Sequence, residues 1–496
     1  MMGVALFCTD IFFSSQAMTP EEFRKLGHLL IDWIADYRSN IEQYPVRSQV
    51  KPGDVRNSFP STPPERQASN AEMIQMLEEK IMPGMTHVQH PMYYGWFPSN
   101  AALSSVLGDI TSSGLAGLGI SWESCPSLTE VEELVCDWMR QLAGLSGKWS
   151  GCIHDTASTA CLASLIVARE HATNLSQNRD GLQGQQKPLI VYTTEHSHSS
   201  VQKAALLAGF GFHNIRYIGT DSETFAMLPQ ALAETIQEDL DRGCLPAAIV
   251  ATSGSTGVLS FDPLEEIAEI AKQHGIWLHV DAAMAGSALI LPECRHLMQG
   301  IELADAISWN PHKWFGAQTD CALMYVKDTG MLKSVMSTNP SYLRSAAGSE
   351  TTQLRDWTIP LGRRFRALKI LFMLEIDGIE QVRTLMRRDM QNACWLAEQV
   401  KDSADWKVVV PVTLQMVCIR HEPEGLSGDA LDNHTLNWAH AVNRSGKALI
   451  TPSILNGRWM VRVSIGAIMT TREHVEKLWN IIYKAAEESL DESPPC

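Results

Sequence analysis

Between about residues 99 and 372 the chain alternates short β-rich runs with amphipathic helical stretches, and this limits its fold more than any other feature. LIVYTT (189–194) precedes SSVQKAALLAGFG and then NIRYIGT, while AAIVATSG (247–254) precedes PLEEIAEIAKQHG and then IWLHVDAA (276–283). Strands joined through helices of that length pair in parallel, with the helices covering both faces of the sheet. Ligands of such sheets bind beyond the carboxyl ends of the strands. The loops that follow the strands are therefore where chemistry should lie.

The flanking regions read differently. From Thr19 to about residue 98 the text is helical and punctuated by proline. Thr19 as N-cap, Pro20 at the first helical position and Glu22 two residues later predict a capping box. Phe23, Leu26, Leu30, Trp33, Ile34 and Tyr37 recur at helical spacing and share one apolar face. VRSQVKPGDVRNSFPSTPPERQ reads as an extended connector and NAEMIQMLEEKIMPG as another short helix. The spacing thus predicts an arm over 18–98 with little core of its own, destined for another domain or subunit. A large domain over 99–372 follows. From 373 to 496, long helices and the runs WKVVVPV, LQMVCIRH and RWMVRVSIG predict a smaller α+β domain.

Bulk properties exclude several function classes. The formal net charge of −16 over 496 residues argues against a nucleic-acid or anionic-membrane surface, though not against a local pocket for one phosphate. No stretch reaches the roughly 18–20 apolar residues of a membrane span. The opening MMGVALFCTDIFFSSQA lacks a basic n-region and is interrupted by Asp10, unlike a secretory signal. The eleven cysteines are scattered, odd in number and without a CxxC pair, which predicts reduced thiols in a cytoplasm.

Five loops carry polar groups of complementary type. DTASTACLASLIVARE, from Asp155, puts Thr156, Ala157 and Ser158 at a helix N-terminus, where amide N–H groups and the dipole favour an anion. Alone, such a turn is an ordinary helix cap. SGSTG (253–257) offers a second turn with Thr256 as hydroxyl donor, and EHSHSS (195–200) places His198 just after a strand. HVDAAMAG ends an apolar strand on Asp281, where a carboxylate is costly unless paired. In SWNPHKWFG (308–316), Pro311 halts regular structure, and the rings of His312 and Trp314 are expected to crowd the amine of Lys313. A desolvated lysine loses its proton readily and can form a Schiff base. Anion cradle, carboxylate, flat ring and nucleophilic lysine together suit a heteroaromatic phosphate aldehyde.

ISWNPHKWFGAQTDCALMYVK, with HVDAAMAG before it and DWTIPLGRRFRALK after it, resembles the group II pyridoxal-phosphate decarboxylases. The likeness runs from about Met18 to residue 483, through MPGMTHVQHP, GWFPSN, SWESCPSLTEVE, HSHSSV and MVRVSIG. It is strongest to aromatic L-amino-acid (DOPA-type) decarboxylases, particularly those of bacteria. The resemblance implies an aspartate-aminotransferase-type (fold type I) α/β architecture. That means a mostly parallel seven-stranded sheet in the large domain, an N-terminal helical arm and a small α+β C-terminal domain. It also implies a homodimer with active sites at the subunit interface, pyridoxal 5′-phosphate as cofactor, and an aromatic L-amino acid as substrate. By position, Lys313 resembles the cofactor lysine, Asp281 the partner of the ring nitrogen, and His198 the histidine stacked on the ring. Ala157, Ser158, Thr256, Asn310 and His312 resemble the set holding the cofactor. Tyr342, in NPSYLRSAAGSETTQ, resembles the tyrosine of a catalytic loop, and with His198 it is a proton donor by the same likeness.

The substrate side departs from the family pattern. Ser99 falls where the family has a small hydroxyl residue and Phe97 lies beside it. Val88 stands where tryptophan is usual, Trp96 where tyrosine is common, and Ile120 where animal enzymes have phenylalanine. Aromatic volume is redistributed, so these positions bear on side-chain preference. Aldehyde synthases on the same scaffold typically carry phenylalanine at the loop tyrosine, whereas this chain has Tyr342. Histidine decarboxylases typically read NPSKW rather than NPHKW. A non-catalytic scaffold protein would have no need of the intact set Lys313, Asp281, His198 and Tyr342.

Overall fold

The structure is a computed structural model and describes residues 18–338 and 351–491. Two compact units divide the chain, Met1–His87 and Val88–Cys496.

In the first unit the expected capping box forms. Thr19 accepts a hydrogen bond from the Glu22 amide at 3.2 Å, and Glu22 accepts from the Thr19 amide at 2.7 Å, opening the helix Pro20–Ser39. No residue of that helix is buried, and Phe23 on its apolar face is 64% exposed. A second capping box, Ser69 with Glu72, starts the helix Asn70–Met76.

The second unit carries two sheets. The larger contains β1 (Ser150–His154), β2 (Leu189–Thr193), β3 (Ile215–Tyr217), β4 (Leu245–Thr252), β5 (Trp277–Asp281), β6 (Ala306–Trp309) and β7 (Ala322–Val326). Their order is β1-β7-β6-β5-β4-β2-β3, and only β7 runs against its neighbours. This is the mostly parallel seven-stranded sheet that the resemblance implies. β2, β5, β6 and β7 are buried throughout, as strands covered on both faces must be. The smaller sheet is antiparallel, ordered β10-β11-β9-β8, from β8 (Trp406–Val408), β9 (Met416–His421), β10 (Thr451–Leu455) and β11 (Arg458–Ser464). Among the described residues no helix is long and apolar enough to cross a membrane.

Candidate active site

Five strands of the large sheet deliver their carboxyl ends, or the loops just after them, to one cavity of about 200 Å³. β1 leads into the helix Ala157–Ala172, bringing Thr156, Ala157 and Ser158; β2 leads to His198 and Ser200. β4 supplies Thr252, Gly254 and Thr256, β5 supplies Asp281, and β6 is followed by Asn310, His312 and Lys313. Phe97 completes the wall beside Lys313. Every residue expected to hold the cofactor therefore lines one space. Gly254 sits at φ +82°, and a Cβ there would come within 2.5 Å of Ala285, so the turn after β4 requires glycine.

The helix Ala157–Ala172 begins without a side-chain cap: Thr156 sits at the N-cap position but makes no capping hydrogen bond. Its first-turn amides thus open toward the cavity as an anion site. Asn310 is buried, and its Oδ1 has no hydrogen-bond partner. A buried amide oxygen left in this way is unusual unless a ligand group meets it.

Asp281 is only 5% exposed. Its Oδ1 accepts from the Ala283 amide at 3.0 Å and from the Ser308 hydroxyl at 3.4 Å. Burial lowers the pKa of Lys313, helped by the nearby Arg462 guanidinium, while Asp281 opposes the shift. The amine thereby loses its proton more easily than a surface lysine. His198 is also shifted down by burial and by Lys313, against the pull of Asp281. Its Nδ1 lies 2.7 Å from the Ser200 hydroxyl and accepts the Ser200 amide at 3.1 Å. Burial and Lys313 push His312 down to about 4, and its Nδ1 sits 2.6 Å from the Cys321 carbonyl oxygen.

One local expectation is corrected. Trp314 does not crowd the amine: its indole N–H donates to Asp389 at 3.0 Å, and Trp314 is absent from the cavity wall. The ring near the amine is that of Phe97, whose centroid lies 5.3 Å from Lys313 Nζ and 5.2 Å from Arg462 Cζ. Neighbouring side chains in an irregular turn point in different directions, so adjacency in sequence did not place Trp314 against its neighbour.

Ser99, Val88, Trp96 and Ile120 are not among the residues lining this cavity. Ser99 Oγ lies 3.4 Å from Thr319 Oγ1, Val88 and Ile120 are half-buried, and Trp96 is 59% exposed. Tyr342 lies outside the described residues.

Sequence reasoning missed Ser200, Thr252 and Arg462. Arg462 is buried on β11 and donates to the Trp96 carbonyl at 3.1 Å, its Nε has no partner, and among the described residues no carboxylate pairs with it. An arginine inside the apolar run MVRVSIG was the available signal, because a buried cation needs an anion.

Comparison with known proteins identifies the family. The pyridoxal-dependent decarboxylase conserved domain matches residues 52–422. The chain belongs to the pyridoxal-dependent decarboxylase family. It is 37% identical to tyrosine decarboxylase 2 of Narcissus pseudonarcissus over 484 residues, covering 95% of each chain. It is also 37% identical to phenylacetaldehyde synthase of Arabidopsis thaliana over 482 residues, covering 95% of this chain and 97% of that one. The crystal structure of Oryza sativa TDC with PLP and tryptamine superposes with a TM-score of 0.92 at 34% identity, covering 95% of this chain and 99% of that one. The decarboxylase is a carboxy-lyase that uses pyridoxal phosphate. The uncapped helix, the partnerless Asn310 Oδ1, the buried carboxylate and the depressed lysine fit the phosphate, ring and aldehyde of that cofactor.

Proposed function

We propose that this decarboxylase converts an aromatic L-amino acid into the corresponding amine and carbon dioxide. The observation that carries the reading is the meeting of Lys313, Asp281 and the uncapped helix start in one cavity. The named activities of the relatives supply the substrate class. When bound, pyridoxal phosphate supplies the electron sink for loss of carbon dioxide.

The chain's residues divide the remaining work. Amides of the first helical turn, with Ser158 and Thr256, would hold the phosphate of the cofactor, and Asn310 and His312 would complete the set around it. Asp281 would supply the negative charge for its ring nitrogen, His198 would contact the ring, and Lys313 would supply the amine for its aldehyde. Arg462 stands at the Phe97 ring, 5.2 Å from its centroid, and adds positive charge near the Lys313 amine, which favours an anionic group of the substrate. His198 and Tyr342 return a proton to the carbon that lost carbon dioxide.

A homodimer completes the reading. The helix Pro20–Ser39 has no fully buried residue, and on the helix Leu103–Leu115 the side chains of Leu103, Leu107, Ile110 and Leu115 are exposed. Apolar faces of this kind fit coverage by a second copy. Deleting residues 18–98 should give monomeric or insoluble, inactive protein; a soluble active monomer would refute this. Nine described cysteines are free thiols, in keeping with a cytoplasmic protein.

The deciding assay measures amine, carbon dioxide, aldehyde and peroxide from tyrosine, DOPA, phenylalanine, tryptophan and 5-hydroxytryptophan. Amine with equimolar carbon dioxide supports the proposal; aldehyde as the main product would replace it with the synthase reading. Running Val88→Trp in the same panel tests that position. A larger loss of kcat/KM for indolic than for phenolic substrates is expected, and equal losses would remove Val88 from the specificity set.

A further inference from the structure

Asp281 does not face the cavity alone. It ends β5, in register with Thr252 on β4 and with Ser308 on β6. His279, two residues earlier on β5, points to the same face of the sheet. Ser308 Oγ lies 3.4 Å from Asp281 Oδ1 and 3.3 Å from His279 Nε2. Both His279 and Ser308 are wholly buried.

The direction of this chain follows from which groups can donate. An ionised carboxylate only accepts, so the Ser308 hydroxyl donates to Asp281 and its oxygen accepts from His279 Nε2–H. A neutral imidazole has one proton. With that proton on Nε2, Nδ1 is a bare lone pair, and Nδ1 is the atom without a hydrogen-bond partner. Burial pushes His279 down to about 4, which keeps the ring uncharged at neutral pH. A cationic ring here would compete for the Asp281 charge; a neutral one offers only an oriented dipole. Both side-chain and backbone donors go to Oδ1, which leaves Oδ2 for a cation in the cavity.

We propose that His279 and Ser308 are positioning residues that fix the Asp281 carboxylate through a one-way hydrogen-bond chain and so set its grip on the cofactor's ring nitrogen. The inference rests on the role given to Asp281 above. Removing the Ser308 hydroxyl leaves Oδ1 with the Ala283 amide alone. The carboxylate can then turn, and its preference for a protonated ring nitrogen weakens.

The test uses the full-length apoprotein and two probes without an aldehyde, so that Lys313 takes no part. One is 4′-deoxypyridoxine 5′-phosphate; the other is its benzene-ring counterpart, which lacks the ring nitrogen. The parent protein should bind the pyridine probe more tightly. In Ser308→Ala that preference should shrink about tenfold, with benzene-probe affinity unchanged. His279→Leu should act in the same direction, and His279→Gln, which keeps an N–H near the Nε2 position, should retain most of the preference. Equal losses for both probes would show that the pair only packs the strands and would overturn the proposal, as would no change for either. Should Ser308→Ala fail to fold, the His279 variants decide alone. A parent protein with no preference for the pyridine probe would overturn the reading of Asp281 itself, a separate result.

Discussion

Replacing Asp281 by asparagine removes one charge and almost no volume. Asparagine keeps an oxygen to accept the Ala283 amide, so the turn after β5 should survive. With an effective dielectric near 20, a carboxylate about 4 Å from a protonated ring nitrogen contributes ~4 kcal/mol, or roughly three pK units. Losing ~3 kcal/mol of that in the transition state predicts a fall in kcat of ~10²-fold or more. A second consequence follows for the neighbours. The Asp281 charge raises the pKa of both Lys313 and His198, opposing their burial. Removing it must lower both further. Single-turnover release of carbon dioxide at saturating cofactor measures the first effect, and the pH dependence of Lys313 acylation in the apoprotein measures the Lys313 shift. Near-parent turnover with cofactor fully bound would refute the electrostatic role. A Lys313 titration unmoved, or moved upward, would refute the placement of the charge beside it.

Lys313→Ala should bind pyridoxal phosphate loosely and lose nearly all turnover. Borohydride should fix cofactor to the Lys313 peptide in the parent, and an adduct on another lysine would contradict the assignment. Tyr342→Phe removes a proton donor while keeping the ring, so under air it should slow amine formation and release aldehyde, ammonia and peroxide; unchanged amine yield without peroxide would leave Tyr342 as packing. Stability of the apoprotein should fall as pH drops from about 6.5 to 4. Burial holds His154 at about 3 and His279 and His312 at about 4, so the unfolded chain takes up their protons first and gains from acid. His434, held at about 4 by burial and by His421, adds to these. Asp262 and Asp389, raised to about 6 by burial, act in the opposite sense, and four groups against two leave a net loss of roughly 2–3 kcal/mol per pH unit. Thermal unfolding across that range checks it, and a flat or rising melting temperature toward pH 4 would contradict it.

Features set within a few residues were legible in the sequence. The Thr19–Glu22 capping box spans three positions of one helix start, and the structure forms it as read. Strand ends could be placed because apolar β-rich runs stop at polar loops, and a parallel sheet brings such ends to one edge. That is why the sequence groups Lys313, Asp281, His198, Thr256, Ala157 and Ser158, and all six line one cavity.

Tertiary packing alone decided the rest. The insertion of β7 between β1 and β6, against their direction, depends on pairing across the sheet, which no local period encodes. Phe97 near the lysine, in place of Trp314, depends on which way each ring of an irregular turn can pack. Arg462 reaches the same ring from β11, and Ser308 meets Asp281 only because β5 and β6 pair in that register. The sequence thus determined which chemical groups exist and on which strand ends they stand, through periods and caps that act within one element. Distances between elements, and with them the field around the Lys313 amine, arise only when separate segments exclude water together, so only the fold could settle them.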